Sequence, residues 1–121
     1  MLKGTSELTA INIINAVLAA VLFVSPWLFS FSAVQVASWN AWICGLAIAA
    51  LALAAINNEP QEWEEWGNAA LGLWTAVAPW VLGFAGEVGA LWTHVGIGLA
   101  VAVLAAIELW LLRGDPPARA A

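Results

Sequence analysis

The chain carries one sequence unit twice, and the second copy follows the first at an offset of 53 residues. The segment Ser25-Pro26-Trp27-Leu28-Phe29-Ser30-Phe31 returns as Ala78-Pro79-Trp80-Val81-Leu82-Gly83-Phe84. The correspondence extends to both sides without a gap, pairing Asn15 with Asn68, Trp39 with Trp92 and Gly45 with Gly98. An internal repeat of fixed period dictates the architecture, because each copy folds as the same supersecondary unit.

Composition places this unit in a lipid bilayer. Hydrophobic residues make up 64% of the 121 residues and charged residues 9%, whereas soluble domains average about 45–50% and about 25%. So few charges cannot cover the surface of a soluble protein of this size. The three basic residues also exclude a phosphate-tracking surface, so nucleic acid is not an expected partner.

Four apolar segments are long enough to cross a bilayer, which requires roughly 20 residues. They lie at about residues 8–29, 39–56, 63–84 and 91–112. Because each unit contains two spans, both copies enter the membrane in the same direction and share a pseudo-two-fold axis along the membrane normal. The sequence therefore predicts an all-α fold, a transmembrane four-helix bundle made of two parallel two-helix repeats. We assign residues 1–58 to the first repeat, 59–113 to the second and 114–121 to a polar C-terminal tail.

The basic residues predict the orientation of the bundle. Lys3, Arg113 and Arg119 lie near the chain ends, and the connections after the first and third spans contain no Lys or Arg. The positive-inside rule then places both termini in the cytoplasm. Tryptophans mark both interfaces, as amphipathic rings do at headgroup level. They are Trp27, Trp39, Trp42, Trp80 and Trp92 at the outer ends, Trp63, Trp66 and Trp110 at the inner ends, and Trp74 well inside a span.

The repeated Pro-Trp pair has a structural interpretation and a functional one. Proline lacks an N–H and its ring clashes with the preceding turn, so Pro26 and Pro79 are expected to kink or end their helices. The carbonyl groups near Leu22 and Thr75 then need another donor, while the tryptophan after each proline can anchor the helix end at the interface. The alternative is that both motifs line an outward-facing cleft that binds a ligand.

Small residues recur on one face of the second helix of each unit. Gly45, Ala49 and Ala52 are repeated as Gly98, Ala102 and Ala105. Spacings of four and then three place them on one helix face, where small side chains let helix backbones approach closely in lipid. This pattern favours two packing seams within the bundle, and a cofactor slot is the alternative.

Asn15 and Asn68 lie about two turns inside their helices. An amide in hydrocarbon needs a partner, and interhelical hydrogen bonds of this kind contribute about 0.5–2 kcal/mol. Because the pseudo-axis relates the two residues, they can even bond each other. The alternative is a polar site for a ligand or an ion.

The acidic stretch between the second and third spans predicts a helix start. Asn58 or Glu59 can cap the third helix, and Pro60 suits its first turn. The carboxylates that follow favour the positive end of the helix dipole; they are Glu62, Glu64 and Glu65. A charged helix start explains this group better than a cation site does.

Two positions at which the copies differ are candidates for function. His94 stands where the first repeat has Ala41, near the outer end of the fourth span. We expect an interface residue there, because no second His, or Cys within reach, completes a metal site. Glu108 stands where the first repeat has Ala55. An intramembrane carboxyl group is a functional candidate; this one can extend to the interface, meet Arg113 or relay protons.

No motif in the chain predicts catalysis. Asp115 is the one aspartate and lies in the tail, so a Ser-His-Asp arrangement is excluded. The sequence also lacks a phosphate-cradling glycine-rich loop, HExxH and CxxC. We therefore expect no enzymatic activity, no cofactor and no metal.

Ser25-Pro26-Trp27, its echo Ala78-Pro79-Trp80, and the following Trp39-Asn40 and Gly45 resemble the SPW-repeat family of small bacterial membrane proteins. The family takes its name from the tripeptide, which lies in the first of two transmembrane helices per repeat. The resemblance covers roughly Leu8 to Leu112, although the second copy has Ala78 in place of the serine and Thr93 in place of the asparagine. It implies a two-repeat, four-helix membrane protein and no established activity.

These observations favour a non-enzymatic integral membrane protein of the bacterial inner membrane. We expect a structural or accessory component that packs with partner subunits or with itself, in contact with the lipid bilayer. The alternative is a small binding protein for a lipid, a quinone or another apolar ligand between the two repeats. A proton or ion path that uses Asn15, Asn68 and Glu108 is the least favoured hypothesis.

Overall fold

Four helices follow one another along the chain, and their side chains enclose one interior. The computed structural model describes residues 2–58 and 61–113, with side chains described for 7–58 and 61–113. No strand occurs within these ranges, so the predicted all-α fold is confirmed. The helices are α1 (Leu2–Leu28), α2 (Gln35–Asn57), α3 (Glu62–Val81) and α4 (Val88–Arg113).

Three helices begin before the apolar stretches that predicted them. The starts of α1, α2 and α4 precede the predicted starts, and α3 ends at Val81 rather than near residue 84. A helix needs no apolar residues at its ends, so hydropathy marks the part that crosses lipid and not the helix boundary. The predicted roles of the Lys3 side chain, Glu59, Pro60 and the tail with Asp115 and Arg119 lie outside the described residues.

The helices pair within each repeat and then across the repeats. The most extensive contacts join α1 to α2 and α3 to α4, and smaller ones join α2 to α3 and α1 to α4. Helices α1 and α3 therefore face each other diagonally, as do α2 and α4. This is the arrangement that a pseudo-two-fold axis along the bundle produces, because it maps α1 onto α3 and α2 onto α4.

Both repeats end their first helix in the same way. Ser30 and Gly83, at equivalent positions, have φ values of 61° and 83°. The amide of the next residue bonds back to the proline carbonyl in each copy, Phe31 to Pro26 at 2.9 Å and Phe84 to Pro79 at 2.8 Å. This left-handed residue followed by a six-to-one bond is a helix stop of the Schellman type. We call this end of the bundle the Pro-Trp end and the opposite one, where α1 begins and α4 ends, the termini end.

The close packing predicted at Gly45 and Gly98 occurs inside each repeat. A Cβ atom on Gly45 would lie 2.9 Å from the Ala19 carbonyl oxygen of α1, and one on Gly98 would lie 2.5 Å from the Ala76 nitrogen of α3. Each glycine therefore allows direct backbone contact with the first helix of its own repeat. The space that a cofactor slot would require is occupied by that backbone.

The outward-facing surface of the bundle is apolar. Helices α2 and α4, and α1 from Glu7 onward, are long and apolar enough to cross a membrane. Helix α3 is not among them, because Glu64, Glu65 and Asn68 lower its hydropathy. Those three side chains are buried in the bundle, however, and beyond Glu62 at its start the exposed large residues of α3 are apolar. The protein is a membrane protein, in which α3 directs its polar groups inward.

Candidate functional site

The serine of the Pro-Trp motif supplies the donor that the proline removes. The hydroxyl of Ser25, which is fully buried, donates to the Leu22 carbonyl oxygen at 2.6 Å. In the second copy Ala78 takes the serine position, and the Thr75 hydroxyl donates one turn earlier, to the Leu71 carbonyl oxygen at 2.7 Å. The two motifs thus serve to end helices, and the hydroxyl completes the backbone bonding in α1.

The four repeated tryptophans of the Pro-Trp end face outward. Trp27, Trp39, Trp80 and Trp92 are all exposed, and Trp27 stacks on Trp42 with ring centroids 5.4 Å apart. Exposed indoles at one end of an apolar bundle are typical of rings that lie at the lipid headgroups. Trp92 also lines the groove described next, whereas the other three tryptophans do not.

An open groove of about 450 Å³ lies between α1 and α4, which belong to different repeats. It begins at the Pro-Trp end, where a Cβ atom on Gly89 would lie 2.9 Å from the Phe29 carbonyl oxygen. Its lining is almost wholly apolar. The residues of this α1–α4 groove are Leu18, Val21, Phe29, Val88, Gly89, Trp92, Thr93, Gly96 and Ile97.

The pseudo-axis relates the groove to the contact between α2 and α3, which we call the α2–α3 seam. There Trp74 stands at the position of Val21. Its indole nitrogen donates to the Asn40 Oδ1 at 3.0 Å, and its side chain also interacts with Cys44. Asn40 and Cys44 correspond to Thr93 and Ile97 of the groove lining. The space that is open in one contact is therefore occupied by an indole ring in the other.

A polar layer crosses the interior at the termini end. Asn12 of α1, Glu65 of α3 and Glu108 of α4 are all fully buried. The Asn12 Nδ2 donates to a Glu108 carboxyl oxygen at 2.5 Å, and to the Leu8 carbonyl at 3.0 Å. The carboxyl groups of Glu65 and Glu108 interact directly. Three helices thus contribute to one buried group that contains two carboxyls.

Several atoms of this layer have no hydrogen-bond partner among the described residues. They are both carboxyl oxygens of Glu65, the Oε1 of Glu108 and the Oδ1 of Asn12. Buried polar atoms without partners are costly in an apolar interior. Four acceptor atoms without partners therefore make this layer a candidate site for a proton or another group that donates hydrogen bonds.

Asn15 and Asn68 do not bond each other. Both are fully buried, and neither amide has a hydrogen-bond partner among the described residues. The bond that the pseudo-axis makes possible between them is therefore not formed in this structure. Each lies three residues beyond a member of the polar layer, Asn15 beyond Asn12 and Asn68 beyond Glu65, so both extend that layer by one helical turn.

Arg113 binds a different carboxylate from the one expected. Its guanidinium forms two hydrogen bonds to Glu62, at 2.8 and 3.2 Å, and the pair is largely exposed. Glu108 points inward instead and bonds Asn12. The physical reason is the helical geometry. Arg113 is five positions after Glu108, and this spacing places the two side chains on different sides of α4.

His94 lies in the interior at the Pro-Trp end and not at an interface with lipid. It is fully buried between the two phenylalanines of the motif, with Phe84 at 4.8 Å and Phe31 at 6.2 Å between ring centroids. Its Nδ1 contacts the Ala90 carbonyl at 2.8 Å. Among the described residues no three His, Cys, Asp or Glu side chains are grouped as a metal site requires.

Sequence reasoning missed Glu65 and Asn12. Glu65 was grouped with its neighbours as part of a charged helix start, yet it alone combines full burial with the Glu108 contact. The cap of α3 also differs from the predicted one, because the backbone amide of Gln61 donates to the Glu64 carboxylate at 3.0 Å. A signal was present: the repeat offset pairs Glu65 with Asn12, and both lie three residues before a repeated asparagine.

Fold and sites together define a small all-helical membrane protein that is built from two copies of a two-helix unit and carries polar groups inside. The family model of the SPW repeat domain matches residues 9–108. The chain therefore belongs to the SPW repeat family, as the doubled motif predicted. Searches of curated proteins and of solved structures found no match.

Proposed function

We propose that the protein binds the apolar chain of a membrane lipid or an isoprenoid quinone in the α1–α4 groove. The observation that carries this proposal is the contrast between the groove and the α2–α3 seam. At equivalent positions one contact is filled by Trp74 and the other, with Val21, leaves about 450 Å³ open. A ligand pocket of several hundred cubic ångströms with an apolar lining is typical of small-molecule sites.

The chemistry of the lining selects a hydrocarbon chain. Thr93 is the one hydroxyl in the groove, and it donates to the Gly89 carbonyl at 2.6 Å. The rest of the lining would recognise a ligand through its shape and through dispersion contacts, which favour methylene groups over polar ones. The groove begins beside the exposed Trp92, so a polar headgroup can stay at the interface while the chain descends between the helices.

The finer localisation belongs to the same proposal. The basic residues near the chain ends favour a cytoplasmic position for both termini, and the resemblance to small bacterial membrane proteins favours the bacterial inner membrane. The ligand would then enter from the outer leaflet, because the groove begins at the Pro-Trp end. The non-enzymatic character is also proposed, since neither the groove nor the polar layer presents a nucleophile beside a base.

The expectation of a structural component that packs with partner subunits stays a prediction. The exposed apolar surface of the bundle is what contact with lipid requires. Such a surface therefore does not favour a protein partner over the bilayer itself.

The test compares two tryptophan substitutions on α1. Val21→Trp places an indole in the groove, as Trp74 does in the seam, whereas Val17→Trp adds the same ring one turn away on an exposed position outside the lining. Each protein is reconstituted with a photoactivatable fatty-acyl phospholipid or a photoactivatable quinone, irradiated and analysed by mass spectrometry. We expect one labelled chain per protein, at α1 and α4, in the wild type and in Val17→Trp.

Val21→Trp is expected to lose at least tenfold of that labelling while it keeps the helical content of the wild type. The two probes show whether a phospholipid or a quinone is preferred. Equal labelling of Val21→Trp and the wild type would overturn the proposal, as would labels spread evenly over all four helices.

A further inference from the structure

We propose that Glu65 and Glu108 together bind one exchangeable proton in the interior of the bundle, near the termini end. This site is distinct from the α1–α4 groove, because no member of the polar layer lines that groove. It does not depend on the proposed function.

The burial of Glu65 and Glu108 limits the negative charge that the pair can carry. Both side chains are fully buried, and they interact directly. Two carboxylates that share a buried site cannot both stay ionised without a large electrostatic penalty. The described residues offer no positive charge to compensate them, because Arg113 is bound to Glu62 at the exposed surface.

One proton would supply a hydrogen bond between the two carboxyl groups. The Asn12 amide donates to Glu108, and this favours the ionised form of that carboxyl. A protonated Glu65 is then a donor for the unpartnered Oε1 of Glu108. The proton would lie between two carboxyl groups, in the manner of a carboxyl dyad, and it would leave the site with a single negative charge.

The Asn12 amide adds an acceptor atom beside the pair. Its nitrogen is fixed by Glu108 and the Leu8 carbonyl, at 2.5 and 3.0 Å, while its buried oxygen has no partner. That oxygen belongs to an amide already in contact with the pair. It is therefore a buried acceptor that a proton-donating group in this layer would satisfy.

The helices around the pair bring few other charges to it. From α1 the facing polar group is Asn12, and α2 carries no charged side chain. From α3 the neighbour is Glu64, which repels both members of the pair. Its carboxylate accepts a hydrogen bond from the backbone amide of Gln61. From α4 the remaining charge is Arg113. Its guanidinium is held by Glu62.

The position of Glu65 and Glu108 near the ends of their helices makes proton exchange feasible. Glu65 lies in the first turn of α3 and Glu108 in the last two turns of α4. A proton can therefore reach the pair from the termini end over a short path, while Asn15 and Asn68 extend the polar layer inward by one turn. The positive end of the α3 dipole supports the single negative charge that remains.

The experiment measures the bound proton directly. Infrared spectroscopy separates the carbonyl stretch of a protonated carboxylic acid from the bands of carboxylates. We expect the wild type at neutral pH, in sodium-free buffer, to show an acid band equivalent to one proton per chain. That band should shift on transfer to D₂O, because the proton exchanges, and disappear in the double variant Glu65→Gln/Glu108→Gln.

Glu87→Gln provides the control, because Glu87 is an exposed loop residue at the opposite end of the bundle. It should leave the band intact. The wild-type spectrum tests the proposal even if the double variant does not fold. Absence of an acid band at neutral pH would overturn it, and so would a band retained by a folded double variant. Loss of the band on addition of Na⁺ at constant pH would make the resident a metal ion and would overturn it as well.

Discussion

The α1–α4 groove and the α2–α3 seam are the two equivalent contacts between the repeats, but one is open and the other is filled. In the seam, Trp74 crosses from α3 and bonds Asn40. In the groove, Val21 leaves an open apolar space. The α1–α4 contact also carries the bond from Asn12 to Glu108, whereas the position of Glu108 is Ala55 in α2. The comparison teaches that the open groove and the Asn12–Glu108 bond lie at the same one of two otherwise similar contacts, while Glu65 meets Glu108 from α3.

The contacts within the repeats differ much less. Gly45 lies against α1 and Gly98 against α3 with backbone atoms within 3 Å of an added Cβ. The repeats are therefore built by the same close packing, and their difference arises where one repeat meets the other. A duplicated unit that keeps its internal packing can vary its mutual contacts with few substitutions, here one tryptophan and one glutamate.

The largest effect is expected from Trp74→Val, which makes the seam resemble the groove. The substitution removes a large ring and leaves the Asn40 oxygen with the weak thiol contact of Cys44 at 3.6 Å. Truncation of a buried aromatic residue typically costs about 3–5 kcal/mol. Because 37% of the Trp74 surface is exposed, we expect a loss of about 2–3 kcal/mol in the free energy of unfolding.

The measurement is a titration from mild to denaturing detergent, followed by helical circular dichroism. The same variant should gain a second labelled chain in the photolabelling experiment, now between α2 and α3. If the variant binds a single chain, an open space alone does not make a site, and the contrast between the two contacts loses its functional meaning.

A second prediction compares two glycines of α4. A Cβ atom on Gly98 would lie 2.5 Å from the Ala76 nitrogen, whereas one on Gly96 would meet nothing within 4 Å. Gly98→Ala is therefore expected to destabilise the bundle by about 1–3 kcal/mol through overpacking. Gly96→Ala should be neutral, or stabilising by up to about 1 kcal/mol through helix propensity.

The same detergent titration checks this pair of glycine variants. Equal losses for both would mean that the groove is closed in the membrane. Equal tolerance of both would mean that α3 and α4 can separate enough to admit a methyl group.

The sequence predicted what the repeats share. The doubled motif, the small residues near Gly45 and Gly98, and the apolar stretches are local patterns, and each maps onto a helix or a helix end. The groove was not predictable, because it depends on how α1 fits α4, helices that lie far apart in the chain. The buried carboxyl pair was missed for a related reason: Glu65 has acidic neighbours, and only the register of α3 shows that it faces inward.

The smallest effect is expected where the two copies of the motif share a left-handed backbone conformation but have different residues in it. Ser30 has φ of 61°, in the region that favours glycine, and Gly83 occupies the equivalent position. Ser30→Gly removes a conformational penalty of about 1–2 kcal/mol but gives the unfolded chain more freedom, which offsets about 0.4–1 kcal/mol. The net gain in the free energy of unfolding should be about 0.5 kcal/mol.

Gly83→Ser is the mirror experiment, and it should lose a similar amount because no side-chain contact compensates it: a Cβ atom there would meet nothing within 4 Å. Opposite signs for the two variants in the detergent titration would show that both copies end their first helix by the same backbone stop. Equal signs would mean that the stop is set by the surrounding packing. In that case the repeats would differ at the Pro-Trp end as well as between α1 and α4.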